Sequence, residues 1–160
     1  MRVKKLLVVL VVLLAAIGLD QWTKQIIETT MHVGQSHTVI PGFFAITHVQ
    51  NTGAAWGLFS GEQTMFFIVT IIALVLLTIF LWSTWKDSWM SSIAITLMIA
   101  GTIGNFLDRL HMAYVTDFFD FNLFGYDFPV FNIADMCLVI GISLLLLFEL
   151  LEMYGVKKHD

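Results

Sequence analysis

The sequence predicts an all-α membrane protein of four transmembrane helices, carrying a small extracytoplasmic β-sheet or loop cradle. Three observations lead there. Hydrophobic residues make up 58 % of the 160 positions and charged residues 12 %, with a mean hydropathy of +0.85. A soluble domain averages about 45–50 % apolar and about 25 % charged residues. Four apolar segments approach or reach the roughly 20 residues that a helical span needs. The basic residues then gather on one side of those segments, as the positive-inside rule requires. The length suits a single integral membrane domain, residues 1–160.

Span one covers about residues 6–27. "MRVKK" followed by "LLVVLVVLLAAIG" also fits a cleavable signal peptide, but the helical pattern runs on through Trp22, Ile26 and Ile27, and no clear A-x-A site follows. Spans two and three, about 65–83 and 89–107, flank the tight turn "STWKDSW", and span four covers about 133–151. With four spans, Arg2, Lys4, Lys5, Lys86, Lys157 and Lys158 fall on one side, and only Lys24 and Arg109 on the other. Both termini are therefore expected in the cytoplasm, with loops 28–62 and 108–131 facing outward. In the first loop, "TVIPGFFAITHVQNTGAAWGLFS" (38–60) combines β-formers, a Pro-Gly turn and alternation. "AYVTDFFDF" (113–121) alternates as well, and suggests a further strand. There Asp117 and Asp120 would point to opposite faces. Phe43, Phe44, Trp56 and Phe59 suit either a cradle over a site or simple anchoring at the interface.

The polar residues collect at the outer ends. Asp20 and Lys24, spaced i, i+4, read alone as an interfacial ion pair worth a few tenths of a kcal/mol. "NTGAAWG" (51–57) is a turn of small residues, in which Asn51 can orient something polar and Gly53 permits close approach. "GTIGNFLDRL" (101–110) brings Asn105 and Arg109 onto one helix face, with Asp108 one position behind. This is either a helix end snorkelling to the interface or part of a site. In "FNIAD" (131–135), Asn132 suits an N-cap and Asp135 the third helical position, as in a capping box. Asp117 and Asp135 flank one short segment and can converge at one depth. Two carboxylates in a medium of lowered dielectric tend to share a proton, supplying an acid and a base near neutral pH.

Other chemistries fit worse. No H-E-x-x-H or G-x-S-x-G occurs, the histidines lack ligand spacing, and Cys137 is the single cysteine. No metal, cofactor or nucleic acid is expected. A small proton-coupled transporter is the alternative, and it would place carboxylates near mid-span on broken helices.

The ordered set "DQWTK", "NTGAAWG", "GNFLDR", "VTDFFDF" and "FNIAD" resembles lipoprotein signal peptidase (signal peptidase II), a family of bacterial membrane aspartic peptidases, over essentially the whole chain. The resemblance implies removal of signal peptides from diacylglyceryl-modified prolipoproteins by cleavage before the lipid-bearing cysteine. It implies a place in the bacterial cytoplasmic (inner) membrane, in contact with membrane lipid, with the site near the extracytoplasmic face. Asp117 and Asp135 match the catalytic pair. Asp20, Lys24, Asn51, Gly53, Asn105, Asp108, Arg109 and Asn132 match positions that shape the site or hold substrate. Thr116 stands where Val is expected, and Met136 where Ser is expected. Nothing demands a second subunit, so a monomer is expected.

Overall fold

A computed structural model describes residues 2–53, 59, 61–86 and 88–155. Trp56, Lys157 and Lys158 lie outside the described residues. The elements run α1 (Arg2–Thr30), β1 (Ser36–Ile40), β2 (Phe44–Asn51), α2 (Gln63–Ser83), α3 (Trp89–Met112), β3 (Val115–Leu123), β4 (Tyr126–Asp127) and α4 (Ile133–Met153). The architecture is mostly helical, with one small antiparallel sheet. Helices α2, α3 and α4 are long and apolar enough to cross a membrane.

Helix α3 is the centre of the bundle and packs on α1, α2 and α4. Its start is fixed by Ser88, whose side chain accepts from the backbone N–H groups of Met90 and Ser91. Its end is fixed by Ala113 in the left-handed region (φ 68), whose N–H returns to the Arg109 carbonyl. Glycines set how closely the helices approach. A Cβ on Gly101 would lie 2.2 Å from the Ala134 carbonyl oxygen, and one on Gly141 would lie 2.6 Å from that of Ala94. Backbone therefore meets backbone along the α3–α4 seam, where small residues let van der Waals packing replace a hydrophobic drive.

The sheet has the order β1-β2-β3-β4. In its β2–β3 ladder Val49 faces Asp117, Gln50 faces Thr116 and Asn51 faces Val115, after an irregularity between Ile46 and Val49. Phe118 packs with Ile27 of α1 and with Met31 just past its end, which docks the sheet on the helices. Phe131 bridges to Phe119, so the chain entering α4 runs alongside β3.

Several elements depart from the bounds expected, three of them instructively. Helix α3 runs to Met112, past the span end expected at about 107, because its carbonyls find their cap only at Ala113; Asp108 and Arg109 are helical, as the i, i+4 spacing of Asn105 and Arg109 implied. The first strand starts at Ser36. Strand β4 is two residues long, too short to leave a periodic signal.

Candidate active site

Helix α4 enters the site through a complete capping box. Asn132 Oδ1 accepts from the Asp135 N–H at 2.9 Å, and Asp135 Oδ2 accepts from the Asn132 N–H at 3.2 Å. The capping reading of "FNIAD" thus holds, and the cap fixes Asp135 in place. Asp135 Oδ1 accepts a second bond, from Asn105 Nδ2 on α3, at 2.7 Å. Asp117, on β3 and 2 % exposed, is held from two sides. Asn132 Nδ2 donates to its Oδ1 at 2.6 Å and Asn51 Nδ2 to its Oδ2 at 2.9 Å. Each carboxylate oxygen keeps a further acceptor site for a proton, a water or a substrate N–H.

The amides form one chain of fixed polarity. Asn105 Oδ1 accepts from Lys24 Nζ at 3.0 Å and from Asn132 Nδ2 at 3.1 Å, which turns the Asn105 Nδ2 toward Asp135. Asn51 Oδ1 accepts from the Gly53 N–H at 2.9 Å, which turns its Nδ2 toward Asp117. Arg109 donates to the Gly53 carbonyl at 3.0 Å and lies over the Phe66 ring, 4.5 Å from its centre. Asn51, Gly53, Asn105, Arg109, Asp117 and Asp135 line one cavity of about 670 Å³. Its apolar wall includes Phe128, Pro129, Val130, Met136, Val139 and Ile140.

Beneath this layer sits a charged triad. Lys24 Nζ lies 2.9 Å from Asp20 Oδ2 and 2.7 Å from Asp108 Oδ2, and the three side chains are almost fully buried. Read alone, Asp20 and Lys24 make an interfacial ion pair, while the resemblance places them among the site-shaping residues. Here α3 closes over both side chains, because Gly104 leaves room for Asp20. A Cβ there would lie 2.5 Å from Asp20 Oδ2. Asp20 Oδ1 also accepts from the Ala134 N–H of α4 at 2.9 Å. One triad therefore joins α1, α3 and α4 next to Asp135. Arg109 likewise turns into the cavity wall and does not simply snorkel to the surface.

Burial first, and the neighbouring Asp135 charge second, push the Asp117 carboxyl up from 3.8 to about 7. The bonds from Asn51 and Asn132 and the charge on Lys24 oppose the shift without cancelling it. A raised carboxyl means that ionisation costs the folded state. The contribution of Asp117 to stability is full below its ordinary value and is withdrawn as pH rises through about 7. A carboxyl that is half protonated near neutrality, beside a second carboxylate, can give and take a proton in the working range.

The signal peptidase (SPase) II family profile matches residues 12–151. The chain belongs to the signal peptidase II family. It is 47 % identical over 138 residues to a lipoprotein signal peptidase of Staphylococcus haemolyticus (strain JCSC1435), covering 86 % of this chain and 87 % of the relative. It is 48 % identical over 141 residues to that of Staphylococcus aureus (strain JH9), covering 88 % and 86 %. A bacterial membrane enzyme solved by the in meso method at 2.3 Å resolution superposes with a TM-score of 0.83 at 46 % identity, covering 96 % of this chain and 93 % of that one. Membership of this signal peptidase II family makes the protein a peptidase of a bacterial membrane.

All ten residues singled out in the sequence gather at the sheet end of the bundle. Asp120 does not join them; it accepts from Thr47 at 2.6 Å and is absent from the cavity wall. Two sets of contacts escaped the sequence reading. Gln21 donates to Asp108 Oδ1 at 2.8 Å and to the Gly104 carbonyl at 3.2 Å, adding a polar link between α1 and α3. Thr116, beside Asp117, donates to Glu28 of α1. The i, i+4, i+8 spacing of Asp20, Lys24 and Glu28 was the available signal, since it puts all three on one helix face.

Proposed function

We propose that this protein is an aspartic endopeptidase that removes signal peptides from prolipoproteins, cutting before the diacylglyceryl-modified cysteine. One observation carries the reading: Asp117 and Asp135 line a single cavity whose other wall is apolar, and a bridge of neutral amides holds both carboxylates. The raised Asp117 supports giving it the resting proton and leaving Asp135 as the base.

Asp135 takes a proton from a water whose oxygen attacks the carbonyl carbon preceding the cysteine. The Asp117 O–H donates a hydrogen bond to the developing oxyanion. Collapse re-forms the carbonyl and breaks the C–N bond, and the proton held by Asp135 passes to the leaving amine. The products are a signal peptide ending in a carboxyl group and a lipoprotein with a free cysteine amine, and Asp117 keeps its proton. Asn105 and Asn132 fix the relative placement of the two acids. Arg109 holds the turn at Gly53 and offers a cation beside the bound peptide.

The proposal includes four spans in one domain, residues 1–160. Helix α1 has 29 residues, a length of about 43 Å, and exposes Leu7, Val11 and Leu14 to its surroundings. Both ends of the chain then lie in the cytoplasm with Lys4, Lys5 and Lys86, and the sheet faces outward. A monomer bathed in membrane lipid suffices, because a substrate anchored by its acyl chains and apolar segment diffuses to the site within the bilayer. The transporter alternative has no observation in its favour: α2, α3 and α4 run unbroken, and Asp117 and Asp135 line a cavity at one end of the bundle.

The test is cleavage of a diacylglyceryl-modified prolipoprotein by purified protein in detergent. Asp117→Asn and Asp135→Asn should each lower turnover by about a thousandfold while folded yield is kept. Near-normal turnover by either variant would contradict the dyad.

A further inference from the structure

We propose that the free end of the sheet, where the β1–β2 turn and the β3–β4 hairpin lie side by side, is a lipid-binding surface that dips into the bilayer interface. Strand β3 carries Asp117 near one end and the hairpin at the other, roughly 23 Å away at 3.3 Å per residue. The hairpin tip is Phe124-Gly125, with φ 56 and φ 90. Both central positions of such a turn favour Gly, Asn or Asp, so a phenylalanine there sits in backbone that bulky residues seldom adopt. It gains no packing in return, because its side chain is fully exposed. The tip is nevertheless rigidly built: the Gly125 N–H donates to Asn122 Oδ1 at 2.8 Å, and Asn122 Nδ2 donates to Asp127 Oδ1 at 2.6 Å.

The apolar exposure extends beyond that one residue. Leu123 and Tyr126 flank the tip, and Val39, Ile40 and Phe43 of the neighbouring turn are exposed beside it. The two turns are joined by the Asn122 N–H to Phe43 carbonyl bond at 2.9 Å and by the Phe43–Phe121 ring contact at 5.5 Å. Segments 38–43 and 121–126 contain no Asp, Glu, Lys, Arg or His, and the nearest carboxylate, Asp127 at the base of the hairpin, accepts a hydrogen bond from Asn122, so the tip itself carries no ion into the interface.

Continuity with a membrane-crossing helix identifies the occupant as lipid. Phe128, two residues beyond Tyr126, shares the cavity wall with Met136, Val139 and Ile140, which are exposed on the flank of α4. The apolar surface thus leads from α4 through Phe128 to the tip. Aromatic rings on an uncharged turn match the composition of membrane interfaces. Anchored there, β3 would hold Asp117 at a set height above the hydrocarbon. The inference concerns where the sheet sits, and it stands whichever residues perform catalysis.

Depth-dependent quenching tests it. Cys137→Ala removes the one native thiol, and Phe124→Cys, or separately Ile40→Cys, then takes a nitrobenzoxadiazole label in the full chain. In phosphatidylcholine–phosphatidylglycerol vesicles, a lipid spin-labelled high on its acyl chain should quench both positions several-fold more than aqueous iodide does. Dominant iodide quenching at either position would overturn the proposal. Shielding from both quenchers, the signature of a protein contact, would overturn it as well.

Discussion

The two ends of the helical bundle each bury a lysine of α1, and they use it differently. At the end with the tight α2–α3 connection, Lys5 donates to the carbonyls of Trp85 and Ser88 at 2.6 and 2.9 Å and lies over the Trp85 ring. Those contacts latch α1 onto a turn. At the sheet end, Lys24 meets two carboxylates and the amide oxygen of Asn105, whose nitrogen faces Asp135. A cation that ties a helix to the main chain of a turn closes a fold. A cation that sets the polarity of an amide bridge reaches into chemistry. Burial alone does not separate the two; the next bond along does.

Removing each charge sharpens that contrast. Lys24→Met strands Asp20 and Asp108 in the interior and should destabilise the protein by about 3–5 kcal/mol, with cleavage lost. Lys5→Met leaves carbonyls unsatisfied and should cost about 1–3 kcal/mol, with turnover per folded molecule unchanged. Thermal denaturation in detergent, paired with a cleavage assay normalised to folded protein, reads both. A Lys5 variant as inactive per folded molecule as the Lys24 variant would erase the distinction.

Asn105→Ala breaks the bridge without touching a charge. Asp135 loses its side-chain donor and Lys24 an acceptor, so the dyad shifts and turnover should fall by about a hundredfold, with KM little changed. A raised KM with kcat unchanged would mean that Asn105 binds substrate and does not place the acid. The smallest effect belongs to Thr116→Val, which removes the bond to Glu28 beside Asp117. A cost of about 1 kcal/mol and cleavage within a few-fold of wild type are expected from the same two assays.

Much of this was legible in the sequence, for identifiable reasons. Apolar runs of span length announced α2, α3 and α4, and Asn132 followed by Asp135 announced the cap at the start of α4. Strand alternation separated Asp117 from Asp120 before either was placed. What stayed hidden depends on tertiary contact. Asp20 and Lys24 look like a surface pair until Gly104 of α3 lets a second helix close on them. The contacts of Gln21 and Glu28 left no local signal, since their partners lie more than 80 positions away. Lys5 read as a positive-inside charge, and its buried role needed the α2–α3 turn to fold beneath it.

The most direct measurement is the titration of the Asp117 carboxyl itself, followed by isotope-edited infrared spectroscopy of the folded protein in detergent. A midpoint near 7 is expected, moving lower in Asp135→Asn as the neighbouring charge is removed, since apparent values belong to the pair. A midpoint in the ordinary carboxylate range, unmoved by Asp135→Asn, would show that the two acids do not share a proton, and would contradict the mechanism.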